Sequence, residues 1–509
     1  MLFWVGLWQR KEYRLDRVLV HLRDTPQGRS LLLSPLSFVK WLLIVCYLVF
    51  VVSDVPIELF AVLVALLYLY KAIGVLVAFS KHQIRRPVFT AKACFLLLLI
   101  LATLFGMVLL PVVNQFLWLL VIDRVLPIVV FCFVMLLALP TDIYRDIRIQ
   151  KAMQKIRKHK NLVVIGVTGS YGKSSTKECI AQVLEQKFSV LKTKESQNTP
   201  IGIANTILRG LHKDTQVFVV EMGAYKRGEI AKLCAITKPT IGVLTALNDQ
   251  HLALFGSFQK IKDTKFELID SLPHSGTALF NATQPEVYEI SKRSKRKHTI
   301  LYAVGRTSSD VAVLATRVVM TKDKITFDVS MQRKTSRFSA PLIGAHNVEN
   351  ILPAIYIGKM LGMTTEQIRK GIAALRQPTK TMQPKILKNG GTLIDDTFNA
   401  NPEGISAGLS YLSLYEEKRI LVLEPMIELG SGAAKRHEAI GKEIGKTCDV
   451  VFLTNGNFAK QIKRGIGGSK CKVYVKDMSK FISIGKKLSD REAILFEGKE
   501  SAMYLKKLL

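Results

Sequence analysis

The chain has 509 residues, too many for one ordinary domain, and 49% of them are apolar. A formal charge of +32 raises nucleic acid as a partner, but the apolar residues crowd into the first quarter and basic residues flank them there. Charge placed in that way belongs with anionic lipid headgroups, and no aromatic-rich RNA motif or zinc-finger spacing supports nucleic acid.

Four apolar stretches, 38–52, 57–79, 93–113 and 115–139, are expected to be transmembrane helices, because a bilayer core takes about 20 helical residues. Polar residues are missing over whole segments rather than along one stripe, unlike the helices of a soluble core. Arg10 to Arg29 precede the first stretch, Lys81, Arg85, Arg86 and Lys92 separate the second from the third, and Arg145 to Lys160 follow the fourth. The other two connections carry no Lys or Arg, so positive-inside reasoning puts both termini in the cytoplasm, with a multi-pass anchor in the inner membrane. Asp123 and Arg124 interrupt the fourth stretch and read either as an intramembrane pair or as an interfacial turn. Charges from Arg10 onward break the apolar start before a signal-type h-region forms. Seven scattered cysteines show no paired metal spacing and are expected to be reduced, mostly buried thiols.

From about Asn161 short β-branched runs alternate with helical stretches. Strands are expected at 162–167, 217–221, 240–245, 277–280 and 299–303, with helices such as 173–186 and 258–271 between them. That alternation predicts a parallel sheet wrapped by helices, and 311–338 reads as an antiparallel ribbon. A second α/β series begins near Gln377, with strands at 391–395, 419–423, 450–453, 472–475 and 493–496. The division expected is a membrane region over 1–150, a nucleotide-binding domain over 151–375 and a Rossmann-like C-terminal domain over 376–509, with a cleft between the two α/β lobes.

The segment "GVTGSYGKSST" joins the first strand to its helix. Gly169, Ser170, Gly172, Lys173, Ser174 and Ser175 supply close backbone approach, amides at a helix N-terminus, an ammonium and hydroxyls, which is what a nucleotide's phosphates and their magnesium require. The usual P-loop spacing needs a glycine where Val167 stands, so the motif alone also reads as a Gly/Ser turn capping a helix. "VFVVEMGAYKRGEI" ends a strand on Glu221, a carboxylate placed to meet the loop's metal, and "NDQHLALFGSFQKIKDTKFELID" offers His251 and Lys265.

This ordered series resembles the Mur ligase family, ATP-dependent enzymes that join amino acids or dipeptides to the muramyl peptide of bacterial cell walls. The resemblance runs from about Asn161 to the C-terminus, and the shortened G-x-x-G-K-[ST] loop belongs to that family's pattern. "TGSYGKSSTKE", "EMGAYKRGEI", "GAHNVENILPAI", "IDDTFNANPEG" and "EPMIELG" look most like the members that add D-alanyl-D-alanine. The resemblance implies ATP and Mg2+, with Lys173 on the terminal phosphates, Ser174 and Glu221 on one magnesium, and His251 and a carbamylated Lys265 on a second. It places His346, Asn347 and Asn350 at a nucleotide-binding helix, and Asp395, Asp396, Asn399, Asn401 and Pro402 in a loop closing over ATP and substrate. The implied reaction is amide-bond formation through an acyl phosphate, between a UDP- or lipid-linked muramyl peptide and D-alanyl-D-alanine or a related amine.

Three features depart from that pattern. Membrane segments stand where the family's uridine-diphosphate domain is expected, Met382 and Gln383 stand near an expected G-R-L, and "LEPMIELG" and "FEGKES" replace Gly-Asp and K-G-S patterns. A membrane-bound ligase of the polyglutamate-synthase type and a non-catalytic membrane scaffold with the same fold are the competing readings. An ATP-driven transporter fits less well, because a second nucleotide-binding unit is missing.

Overall fold

The computed structural model describes the chain except residues 12, 14, 25–27, 29–30, 32–33, 53–56, 81–86, 113, 195–196, 249–254, 306–310, 378–380, 388, 399, 427–431 and 509. It divides into two compact units, Met1–Asp146 and Ile147–Leu509.

The first unit is helical. Helices Pro35–Val52, Ile57–Ser80 and Gln115–Leu136 meet around Phe60, Val64 and Leu120. Helices Leu2–Arg10 and Ala91–Val108 bury Val5, Trp8, Leu96 and Ile100 in a second cluster with Val130. Glu58–Val77, Ala91–Val108 and Gln115–Arg157 are long and apolar enough to cross a membrane, whereas the apolar part of the first expected span, Pro35–Tyr47, is shorter. Leu66, Leu76, Phe105, Leu98 and many similar side chains lie outward, and beyond Ile147 the exposed large hydrophobics reduce to a few such as Ile386 and Phe398. In water such a surface is an association site or a liability; against lipid it needs no cover.

Of the two readings of Asp123 and Arg124, the turn is absent and the pair forms, at 3.2 Å. Both residues lie inside the continuous helix Gln115–Leu136, because Asp123 is paired by Lys40 from one neighbouring helix and by Lys71 from another. The thiols also differ from expectation: Cys179, Cys234 and Cys448 are buried, but Cys94 and Cys132 face outward.

The second unit holds two sheets. The first has the order β2-β3-β1-β4-β5-β6-β7-β8-β9, from β1 (Val163–Thr168), β2 (Val190–Lys192), β3 (Val217–Glu221), β4 (Ile241–Leu244), β5 (Thr277–Asn281), β6 (His298–Val304), β7 (Val313–Met320), β8 (Ile325–Met331) and β9 (Lys334–Ala340). The first seven pair in parallel, and β7 to β9 form the antiparallel ribbon, which extends the same sheet instead of standing apart. Alternate residues of β1 feed two cores, Ile165 and Val167 one and Val164 the other. Burial on both faces explains why its sequence is an unbroken apolar run.

The second sheet has the order β10-β11-β15-β12-β13-β14, from β10 (Gln383–Ile386), β11 (Thr392–Asp396), β12 (Arg419–Leu423), β13 (Val450–Leu453), β14 (Lys472–Val475) and β15 (Ala493–Glu497), with β10 alone antiparallel. Register brings Val167 beside Glu221 and Thr168 beside Leu244 in the first sheet, and Asp396 beside Glu497 in the second. The C-terminal ends of parallel strands are where such sheets bind ligands, and both ends carry the polar residues singled out above.

Against the second sheet, helices Ala433–Thr447 and Ala459–Ile466 cross at glycines. A Cβ on Gly465 would lie 2.0 Å from the Glu438 carbonyl oxygen, and one on Gly441 would lie 2.4 Å from that of Ile462. Gly465→Ala is therefore expected to destabilise the fold by about 1–3 kcal/mol through overpacking, read as a lower denaturation midpoint. An unchanged midpoint would show that the helices separate freely.

Candidate functional site

The loop after β1 is shaped by two glycines and by the neighbouring strand. Gly172 has φ of 78°, a left-handed conformation that starts helix Lys173–Leu184. A Cβ on Gly169 would lie 2.1 Å from Thr245 Oγ1. The Thr245 hydroxyl donates to the Tyr171 carbonyl at 2.5 Å, and the Ser170 N–H donates to the Ala246 carbonyl at 2.7 Å. The segment after β4 thus fixes the loop's path. Lys173 Nζ donates to the Gly169 and Ser170 carbonyls at 2.8 and 2.9 Å, curling its ammonium over the loop, and burial lowers its pKa from the usual lysine range.

Glu221, at the end of β3, ties the loop helix to the sheet. Its carboxylate accepts from Ser174 Oγ at 2.8 Å and from Asn198 Nδ2 at 3.0 Å, and lies 3.6 Å from Lys177 Nζ. Lys177 is fully buried and also donates to the Thr193 carbonyl at 2.7 Å. Lys173 and Lys177 are four residues apart, so they share one helix face. A buried carboxylate persists only when its charge is matched and its lone pairs are used, and these partners do both.

A second tie runs beneath the loop. Asn350 Oδ1 accepts from Thr176 Oγ1 at 3.0 Å, while Asn350 Nδ2 donates to Asn347 Oδ1 and Asn347 Nδ2 to the Ile343 carbonyl. His346 caps this helix, Asn347–Met360; its Nδ1 is buried and has no hydrogen-bond partner among the described residues, and burial pushes its pKa down to about 4. A neutral imidazole whose Nδ1 is unpartnered among the described residues suits an uncharged polar group.

These residues line a cleft of about 1680 Å³ between the two sheets. Ser170, Gly172, Lys173, Ser174, Ser175, Glu221, His346 and Asn350 face it from the first sheet's side, and Asn401 from the second's. Asn248 Nδ2 donates to Glu403 Oε2 across it at 3.3 Å. Gly169 lies beneath, lending its carbonyl to Lys173. Asn347 stands one layer back. Asp395 is also turned away, its Oδ1 accepting from the Thr397 N–H and hydroxyl, and the adjacent Asp396 lines the cleft in its place. Pro402 is the first residue of a helix capped by Asn401 Oδ1, which accepts from the Gly404 N–H at 2.9 Å, and does not line the cleft. His251 and Asn399 lie outside the described residues.

Lys265 is buried on helix Phe258–Asp270, with Nζ 3.4 Å from the Ala224 carbonyl oxygen. Burial first, and the Lys173 charge second, bring its pKa down to about 7. A substantial fraction is therefore neutral amine at physiological pH.

At the second sheet's end the departures from the family pattern cluster. Met382 is buried in the C-terminal core rather than presented as a cation, and Glu424 Oε2 accepts from the Glu500 N–H at 2.9 Å. Glu497 is fully buried, its carboxyl set against that of Asp396. Burial and the Asp396 carboxyl beside it raise it well above the usual range, and burial brings Asp396 up to about 7. The pair therefore keeps a proton near neutral pH.

Lys177 and Asn198 were not singled out by sequence. The i,i+4 spacing to Lys173 carried a signal for the first; Asn198 comes from a distant loop and carried none. Two outcomes test this geometry. Gly169→Ala is expected to weaken ADP binding on the order of tenfold or more, by titration calorimetry, because the loop must leave Thr245. Lys177→Met is expected to cost about 3–5 kcal/mol of stability by stranding a buried carboxylate, read as a lower melting temperature; an unchanged value would show Glu221 satisfied without it.

The Mur ligase middle domain matches residues 167–358, and the Mur ligase, glutamate ligase domain matches residues 382–500. The UDP-N-acetylmuramoyl-tripeptide--D-alanyl-D-alanine ligase of Synechocystis sp. is 31% identical over 348 residues, covering 68% of this chain and 73% of that protein. A crystal structure of MurF from Acinetobacter baumannii aligns with a TM-score of 0.62 at 25% identity, over 72% of this chain and 80% of that one. The MurF ligase of Thermotoga maritima in complex with ADP has the same fold, with a TM-score of 0.63 at 24% identity, over 72% and 82%. Similarity over nearly three quarters of a relative's length, reinforced by both domain matches, fixes the descent: the chain belongs to the Mur ligase family.

Proposed function

We propose that this protein is an ATP-dependent peptide ligase of peptidoglycan precursor synthesis, adding D-alanyl-D-alanine or a related amine to a muramyl tripeptide. The observation that carries the reading is the phosphate loop locked to Glu221 on one wall of the cleft, with Asp396 and Asn401 on the other. The relatives' names supply the substrates. A scaffold reading leaves the buried Lys177–Glu221–Ser174 cluster without a purpose, since an apolar core is easier to build.

In the reaction the tripeptide's carboxylate attacks the γ-phosphorus of ATP, forming an acyl phosphate and ADP. The amine then attacks the activated carbonyl, and phosphate leaves from the tetrahedral intermediate. Lys173 swings from the loop carbonyls to the terminal phosphates, and Lys177, 3.6 Å from its carboxylate, holds Glu221 aimed at the loop. His346 and Asn350 border the nucleotide, and Asn401 sets the C-terminal loop beside it. Ser174 and Glu221 form the all-oxygen donor set that suits magnesium, which supplies charge neutralisation on the transferred phosphoryl group when bound. His251 and Lys265 are assigned to a second such ion. For Lys265 this requires carbamylation, in which the neutral amine attacks carbon dioxide, an N–C bond forms and one proton leaves to solvent. Closure of the two lobes excludes water that would hydrolyse the acyl phosphate.

We infer the division into a membrane region over 1–150, a central domain over 151–375 and a C-terminal domain over 376–509, with the helices of the first embedded in the cytoplasmic membrane. The outward apolar side chains of that unit support the placement.

Phosphate release tests the function. With ATP, Mg2+ and D-alanyl-D-alanine, the purified protein is expected to turn over on adding UDP-linked muramyl tripeptide or its lipid-linked form; acceleration by neither would sink the reading. Lys265→Ala is expected to lower turnover by about 100-fold or more. At limiting carbon dioxide, wild-type activity should fall as pH drops through about 7, because the ammonium form of Lys265 cannot be carbamylated. A flat profile from pH 8 to 6 would contradict the carbamate assignment.

A further inference from the structure

Three cationic side chains converge on one carboxylate where three apolar helices of the first unit meet. Asp123, on helix Gln115–Leu136, pairs with Lys40 from helix Pro35–Val52. Its Oδ1 lies 3.2 Å from Lys71 Nζ, from helix Ile57–Ser80, and its Oδ2 lies 3.2 Å from Arg124 Nη2. The Tyr68 ring lies beside both lysines, 5.6 Å from Lys40 Nζ and 5.4 Å from Lys71 Nζ. One pair would suffice to hold helices together, and Lys40, with only 2% of its side chain exposed, already provides it. Lys71 and Arg124 are additional, and they leave the cluster with a net charge of about +2.

That excess stands among lipid-facing residues. At 1.5 Å per residue, Lys40 lies about 8 Å, Lys71 about 14 Å and Arg124 about 18 Å from the helix ends that lead to the basic segments. Charges at such depth are costly unless an opposite charge meets them. The Nε of Arg124 is buried and has no hydrogen-bond partner among the described residues, so the guanidinium retains a donor for another group. A soluble anion would have to shed its hydration to arrive there, whereas a lipid's chains carry its phosphate into the apolar region. A net +2 matches a phosphate monoester, at about −1.5 to −2, better than the single charge of a phosphodiester.

We propose that Lys40, Lys71 and Arg124, arranged around Asp123, form a binding site for the terminal phosphate monoester of an anionic lipid. The site goes beyond the ligase reading and rests only on the embedding of the first unit in the bilayer.

The test uses the full chain. Sodium carbonate extraction first establishes embedding; release of the protein would overturn the membrane placement and this site with it, leaving the ligase reading intact. The retained protein is reconstituted in phosphatidylcholine nanodiscs doped equally with phosphatidic acid, a monoester, and phosphatidylglycerol, a diester, and bound lipid is read by native mass spectrometry. Phosphatidic acid is expected to be enriched on the order of tenfold over phosphatidylglycerol. The double variant Lys71→Gln/Arg124→Gln keeps the Lys40–Asp123 pair, so it should fold and melt as the wild type while losing the enrichment. Lys71→Arg/Arg124→Lys should retain it. Equal retention of both lipids by the wild type, enrichment that survives in the double glutamine variant, or displacement by millimolar inorganic phosphate would each overturn the proposal.

Discussion

The nucleotide side of this protein depends on one buried carboxylate. Glu221 closes a strand, and the groups that satisfy it come from the loop helix through Ser174 and Lys177 and from a separate loop through Asn198. Hydrogen bonds to a charged group contribute about 1.5–3 kcal/mol each, and an unmatched charge at this depth would cost more than any of them returns. The phosphate loop therefore cannot drift from the strand end without exposing that penalty. Thr245 and Asn350 hold the loop from its other sides, so its shape is set before any ligand arrives.

Much of this was legible in the sequence because the physics is local. Strands buried on both faces must be apolar along their length, and β1, β3, β12 and β15 could be marked from that alone. The loop was legible because glycines, a lysine and hydroxyls at a strand-to-helix junction have few other uses. Side-chain direction was not. Asp395 and Asp396 are neighbours on a strand, so they point to opposite faces, and the cleft receives Asp396 while Asp395 turns to Thr397. Asn347 and Asn350 share a helix face, yet only Asn350 reaches the cleft, because Asn347 is bonded back to Ile343. Sequence left Asp123 open between a pair and a turn because two of its partners, Lys40 and Lys71, are 83 and 52 residues away.

The loop and Glu221 are held by observed bonds that give each a physical task. Behind the opposite wall, at the end of the second sheet, Glu497 sets a buried carboxyl beside that of Asp396, and the pair resolves the clash by retaining a proton. Phosphoryl chemistry is thus the better-defined half of the proposed reaction, and the acceptor amine is the half where this chain's own residues will decide specificity.

The central claim is that Glu221 and Ser174 together turn a phosphate loop into a metal-nucleotide site. Titration calorimetry of ADP with and without Mg2+, in the wild type, Ser174→Ala and Glu221→Gln, tests it most directly. The account predicts that Mg2+ tightens ADP binding by the wild type and that both variants lose this increment while keeping the metal-free affinity. An undiminished Mg2+ effect in folded Glu221→Gln protein would contradict it.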